Sequence, residues 1–210
     1  VFILVSVGLN RKTEVIETSS PDSGAGGFTV MATTAQPYIG DISKAIDAAE
    51  GVNTRTLGFK VAKGEDASCL NLYQPLQPNL IAPVQLPALH GRFNFNAKME
   101  SSVSDPWMLL DKVFEDGAIP AIGDTNTVMW ILHSGLGQDL TIQAEDGSEQ
   151  VLRFVALVGH SLFQSDVIIS QTAMNHYFPT RAKQTLFLIE SGDPDETIRR
   201  LETSFGDYGM

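Results

Sequence analysis

The chain has 210 residues, of which 43% are hydrophobic and 19% charged, a balance that supports a packed core and excludes disordered and fibrous classes. One large domain or two small interlocked ones fit that length. The 14 Lys and Arg against 25 Asp and Glu leave a net charge of -11, and no cluster of bases gathers along the chain, which argues against a nucleic-acid partner. The single cysteine, Cys69, makes neither an intramolecular disulfide nor a cysteine-rich zinc site and says little about redox compartment.

The opening apolar run, VFILVSVGL (1–9), stops at Asn10-Arg11-Lys12. It falls short of the about 20 residues that cross a bilayer and lacks the charged start of a signal peptide. It reads either as a buried strand or, more sharply, as the outer end of a membrane helix; a start on Val1 and the polar exit at Asn10 favour the second. TSSPDSGAGG (18–27) is small, polar and glycine-rich and reads as a loop or linker. It is no phosphate cradle, because strand-like Phe28–Met31 follows it instead of a helix. Asp41 caps a short predicted helix with Ile42, Ala45, Ile46 and Ala49 on one face and Gly51 as its stop. A strand over 52–61 completes a β-α-β unit over 28–63.

The next stretch, 63–89, holds Pro75, Pro78, Pro83 and Pro87. Prolines remove ladder donors, so this stretch is predicted to meander, with no regular helix or central strand. Asp105-Pro106 opens a short amphipathic helix with Trp107, Leu110, Val113 and Phe114 on its apolar stripe, up to Gly117. From 118 to 170 the strands AIPAIGD, TVMWIL, LTIQAE, VLRFVALVG and DVIISQ follow one another, with Asp146-Gly147 as a hairpin turn. A short helix over 172–177, the strand QTLFLIES and a last helix opened by Asp193 and faced by Ile198, Leu201 and Phe205 close the chain. Trp107, Leu110, Leu152, Phe154, Val155, Leu157, Val167 and Ile168 are the predicted core. The pattern is α+β, with units from both ends pairing and the β-rich block inserted between them.

Val158-Gly159-His160-Ser161 has the outline of a hydrolase nucleophile elbow, yet Phe163 stands where a small residue is needed, strand follows where a helix is needed, and His176 is too near downstream. The reading that fits is a turn at a strand end. Cys69 as a thiolate nucleophile needs a nearby histidine, and His90, His133, His160 and His176 are spaced too irregularly for that to be read, or for metal pairs. Asp124-Thr125-Asn126 lacks the glycine and terminal glutamate of a calcium loop. Gly135-Leu136-Gly137-Gln138 lacks the third glycine of a dinucleotide fingerprint and is a turn. No catalytic, cofactor-binding or metal residue emerges, and no substrate-binding residue is identified.

In order along the chain, Asp66-Ala67-Ser68-Cys69-Leu70-Asn71-Leu72, Gly91-Arg92-Phe93, Pro120-Ala121-Ile122-Gly123-Asp124, Leu152–Ser161 and Val167-Ile168-Ile169 resemble the large extracytoplasmic domain of FtsX-like ABC transporter permeases, the MacB-type periplasmic core. The family pattern has a Val-Gly-Val type strand; here Val158-Gly159 is followed by His160. The resemblance implies an α+β fold, a MacB-type periplasmic core with a β-α-β subdomain built from both chain ends and a β-rich inserted subdomain. Its parts would be 1–12 (membrane-helix end or exit segment), 13–64, the insertion 65–165, and 166–210. It further implies a non-catalytic domain on the periplasmic or extracellular side of a cell membrane that binds a substrate or partner and moves with ATP-driven closure. The ATP-binding subunit would be a separate cytoplasmic partner, the parent protein dimeric and in the membrane, with no cofactor here; the absence of a Walker motif agrees. The competing readings are a secreted or surface hydrolase using Ser161 or Cys69, and a free-standing binding module.

Overall fold

The computed structural model describes residues 4–6, 20–34, 36–37, 54–64 and 77–205. The predicted helix around 42–49, Cys69 with its DASCLNL motif, and the segments 10–12 and 207–210 lie outside the described residues.

Ten strands form one sheet: β1 (Leu4–Ser6), β2 (Val30–Thr33), β3 (Thr54–Ala62), β4 (Asn79–Pro83), β5 (Phe95–Lys98), β6 (Ile119–Asp124), β7 (Asp139–Gln143), β8 (Glu149–Val158), β9 (Asp166–Ile169) and β10 (Lys183–Ser191). Their spatial order is β1-β2-β10-β3-β4-β9-β6-β8-β5, with β7 also on β8. Among the described residues there are two α-helices, both late in the chain, α1 (Gln171–Tyr177) and α2 (Pro194–Phe205). The protein is therefore α+β, dominated by its sheet. β10 runs antiparallel to both β2 and β3, so the two strands of the predicted β-α-β unit are parallel to one another with a strand from the far end of the chain between them.

Side chains alternate across a pleated sheet, and here both faces are covered. Phe59, Ile81, Ile122, Val155 and Ile168 belong to the core on one face, with Phe93, Trp107 and Phe163. Leu80, Ala82, Phe154, Val167 and Ile169 belong to the other, with Met174 and Phe178 of the α1 region. All eight residues predicted as core are buried.

Asp146-Gly147 turns β7 into β8, with Gly147 at φ 85° and Gln143 opposite Glu149. Arg153 of β8 ties that hairpin down: its guanidinium donates to Asp139 at 2.7 Å and to Asp116 at 2.7 Å. Those hydrogen bonds hold both carboxyls below their ordinary value. Asp193 accepts from Glu196 N at 3.0 Å as the cap of α2, and Ser170 accepts from Ala173 N at 3.2 Å as the cap of α1, both as cap chemistry predicts.

Of the two readings of the opening run, Leu4–Ser6 takes the strand: it is extended and antiparallel to β2. The glycine-rich stretch is a loop as read, from Ser20 on a succession of turns in which Ala25, Gly26 and Gly27 are buried; a Cβ at Gly26 (φ 62°) would collide with the Phe93 ring. Three expectations are corrected. The proline-rich stretch does contain an interior strand, β4, flanked by β3 and β9. Pro78 precedes it and Pro83 ends it, so Leu80, Ile81 and Ala82 keep their ladder donors. The helix at 105–117 is only a 3₁₀ segment over Pro106–Asp111, capped by Asp105; it ends before Val113, which is left 90% exposed. Finally, TVMWIL is a π-helical turn over Thr127–Ile131 and not a strand.

Candidate functional site

That last correction defines the most distinctive surface of the described chain. β6 carries Asp124 at its end, 1% exposed. Asp124 Oδ1 accepts from Asn126 N at 3.0 Å and, longer, from Thr127 N at 3.5 Å. Asp124 Oδ2 accepts from Ser161 N at 2.9 Å and Ser161 Oγ at 3.2 Å. One buried carboxylate thus joins the end of β6 to the end of β8, with donors meeting both of its oxygens, as a buried charge requires.

Past Asp124 the ladder with β8 ends and the chain coils into the turn. Leu132 N donates to Thr127 O at 3.0 Å and Ser134 N to Val128 O at 2.9 Å. Thr127 Oγ1 accepts from Ser165 N at 3.0 Å, fastening the turn to the loop after β8. Val128 and Leu132 point inward and are buried, and the residues between them are forced out: Met129, Ile131 and, at 71%, Trp130 are exposed. From Thr125 to Gln138 there is no Asp, Glu, Lys or Arg. The result is an uncharged apolar projection, held by hydrogen bonds on an otherwise acidic protein. Sequence reading missed it because TVMWIL has strand composition. The available signal was Asp124-Thr125-Asn126, whose acid caps the backbone donors that follow it.

The hydrolase constellation does not assemble. Ser161 is 2% exposed, and its hydroxyl donates to Asp124 while accepting from Phe163 N at 3.3 Å. A serine so engaged has no free proton path to a histidine. His160 is exposed at a backbone φ of 35°. His90 Nδ1 lies 3.9 Å from Asp105, His176 packs edge-on against Tyr177 at 4.6 Å, and His133 is exposed beyond the π-helical turn. The histidines are scattered, and no group of three metal-ligating side chains forms among the described residues. Val158–Ser161 is the strand-end turn that the sequence predicts. Gly135–Gln138 is also a turn, closed by Gln138 N on Gly135 O at 3.0 Å.

Gly91-Arg92-Phe93 forms a structural knot. Arg92 donates to Gly26 O at 2.7 Å and to Glu190 at 2.5 Å, and its guanidinium lies 4.7 Å from the Phe28 ring centroid. Phe93, at φ 66°, is strained for a bulky residue. Its ring meets Phe163 at 5.0 Å and Trp107 at 5.8 Å, and Trp107 Nε1 donates to Arg92 O at 2.9 Å. This motif therefore fastens the early turns to β10 and to the first core.

No protein-family profile matches the chain, and no curated protein matches it in sequence. Among solved structures, the extracellular domain of a noncanonic ABC-type transporter, YknZ, from Gram-positive bacteria is similar over 80% of each chain, at 9% identity and a TM-score of 0.34.

Proposed function

We propose that this chain is the non-catalytic extracytoplasmic domain of an ABC transporter permease subunit, of the MacB-type periplasmic core. In this reading it engages a substrate or partner outside the cytoplasm, and moves when a cytoplasmic ATP-binding subunit closes the transporter. The observation that carries the proposal is the joining of the chain's two ends. β2, near the start, lies directly against β10, near the finish, and the strands from the middle of the sequence lie beyond β4 and β9. A domain inserted between two membrane segments needs such an arrangement, since both connections return to one bilayer face. The ordered motifs from Gly91-Arg92-Phe93 to Val167-Ile168-Ile169 support it from the sequence side. The division into 13–64 with 166–210 as one subdomain and 65–165 as the other belongs to the same proposal, as does a dimeric parent protein in the membrane.

The apolar turn at Met129–Ile131 suits contact with a partner, and the buried state of Ser161 favours binding over hydrolysis. The test is the complete reading frame together with membrane fractionation of its product. Apolar spans of about 20 residues on both sides of this domain, and a product that stays with the membrane, are expected. A start codon just before Val1 with a stop after Met210, or ester hydrolysis lost on Ser161→Ala, would overturn it.

A further inference from the structure

Among the described residues, one part of the first sheet face borders a cleft. A cavity of about 450 Å³ opens where β2, β10, β3 and β4 meet the loop between β8 and β9. Its apolar wall includes Met31, Val61, Ile81, Leu162 and Leu186, and threonines from β2 and β10 add hydroxyls. That volume and mixture lie in the range of small-molecule sites. Asp166 lines the same cavity, because strand alternation puts it on the same side as Ile168 of the first core.

Asp166 sits opposite Asn79 in the parallel β4–β9 pair. Asn79 Oδ1 accepts from Gly64 N at 3.0 Å, which leaves the Asn79 amide to donate to the Asp166 carboxyl. Among the described residues Asp166 has no ion-pair partner. Burial pushes its carboxyl up to about 6, against the smaller opposing effect of the Asn79 hydrogen bond. Lys63 is the other charged residue of the lining; it is exposed, and its charge is screened by water. Thr33 of β2, Thr34 just after it, Thr185 of β10 and Gln164 of the loop also line the cavity, none of them charged.

We propose that this cavity binds a small amphiphile whose apolar chain lies on Met31, Val61 and Leu186 and whose ammonium head meets the carboxylate of Asp166. A partly buried carboxylate with no ion pair among the described residues gains most from a ligand that brings a cation. An anionic head of the same size meets like charge, and a neutral one leaves the carboxylate as it was. The cation binds only ionised Asp166, so binding at pH 5 must first release a proton and affinity falls about tenfold from its value at pH 7.5. The site is independent of the permease proposal and stands or falls alone.

Calorimetric titration of the whole chain with n-octylamine, n-octanoate and n-octanol separates the outcomes. Saturable binding of n-octylamine is expected, with the stated pH dependence and much weaker binding of the other two. Asp166→Asn should lower n-octylamine affinity at least tenfold at pH 7.5 and abolish the pH dependence. Val61→Trp, at a half-buried wall position, should block binding while leaving a cooperative melting transition. Equal binding of n-octanoate, unchanged affinity in Asp166→Asn, or no saturable binding of n-octylamine by the folded chain at up to about 10 mM would overturn the proposal.

Discussion

The two tryptophans have opposite environments. Trp107 is fully buried in an aromatic cluster, with its indole N–H bonded to Arg92 O, whereas Trp130 projects from the π-helical turn. Trp107→Ala is expected to destabilise the fold by about 3–5 kcal/mol in urea unfolding, from lost burial and the cavity left behind. Trp130→Ala should fall within about 0.5 kcal/mol of the parent. Acrylamide should correspondingly quench the emission of Trp107→Ala, where Trp130 remains, far more than that of Trp130→Ala. Asp124 is the residue on which the projection depends. Asp124→Ala leaves the buried amide of Ser161 without its acceptor, and a loss of about 2–4 kcal/mol is expected by the same measurement. Ser161→Ala removes two hydroxyl contacts but keeps the amide on Asp124, and should lose only about 1–2 kcal/mol. The buried positions were legible because the nearly continuous apolar runs of β8 and β9 mark strands covered on both faces. Trp130 was not, because an aromatic residue in TVMWIL looks the same whether it faces a core or water.

At the scale of elements, local chemistry was most informative where it dictates backbone shape. The Asp146-Gly147 turn and the Asp193 opening of the last helix both stand where the sequence places them. Asp193→Ala is expected to weaken α2 by about 1 kcal/mol, seen as a lower melting temperature with a small loss of helical circular dichroism. Where tertiary context decides, local reading failed. β4 was dismissed because of its prolines, although Pro78 and Pro83 stand at its ends and leave its middle free to pair with β3 and β9. The 105–117 stripe was read at helical spacing, but the chain tightens to i→i+3 bonds, such as Met108 N on Asp105 O at 3.1 Å. Beyond Asp111 only Phe114 of the predicted stripe still packs against the core, and Val113 is exposed. β5, with the sequence FNAK, carries almost no strand signal and is extended because β8 offers it an open edge.

For the molecule as a whole, Asp166 gives stability a pH dependence of known sign. Its carboxyl moves from an ordinary value of 3.8 up to about 6 because of burial. The folded state therefore prefers the protonated acid. That contribution is fully present below about pH 3.8 and is lost as pH rises through about 6. Above that the ionised, buried group costs on the order of 2–3 kcal/mol. Asp166→Asn should accordingly melt higher than the parent at pH 8 and alongside it at pH 3.5. A gain of the same size at both pH values would show that the change acts through packing and not through charge.

The placement of β10 between β2 and β3 also sets an order of events during synthesis. β2 and β3 leave the ribosome long before residues 183–191 exist, and the strand that must join them arrives only after β4 to β9. Until then both present unpaired N–H and C=O groups to whatever is nearby, the condition in which strands recruit partners from other chains. Closing this half of the sheet therefore waits for β10, and it is slow, because the closing contacts, such as Val30 with Ile189, join residues far apart in sequence. A ribosome that stalls shortly before Lys183 would hold a chain already carrying β2 to β9 but missing the strand that seals β2 against β3, so the nascent domain is most in need of a chaperone until β10 has emerged.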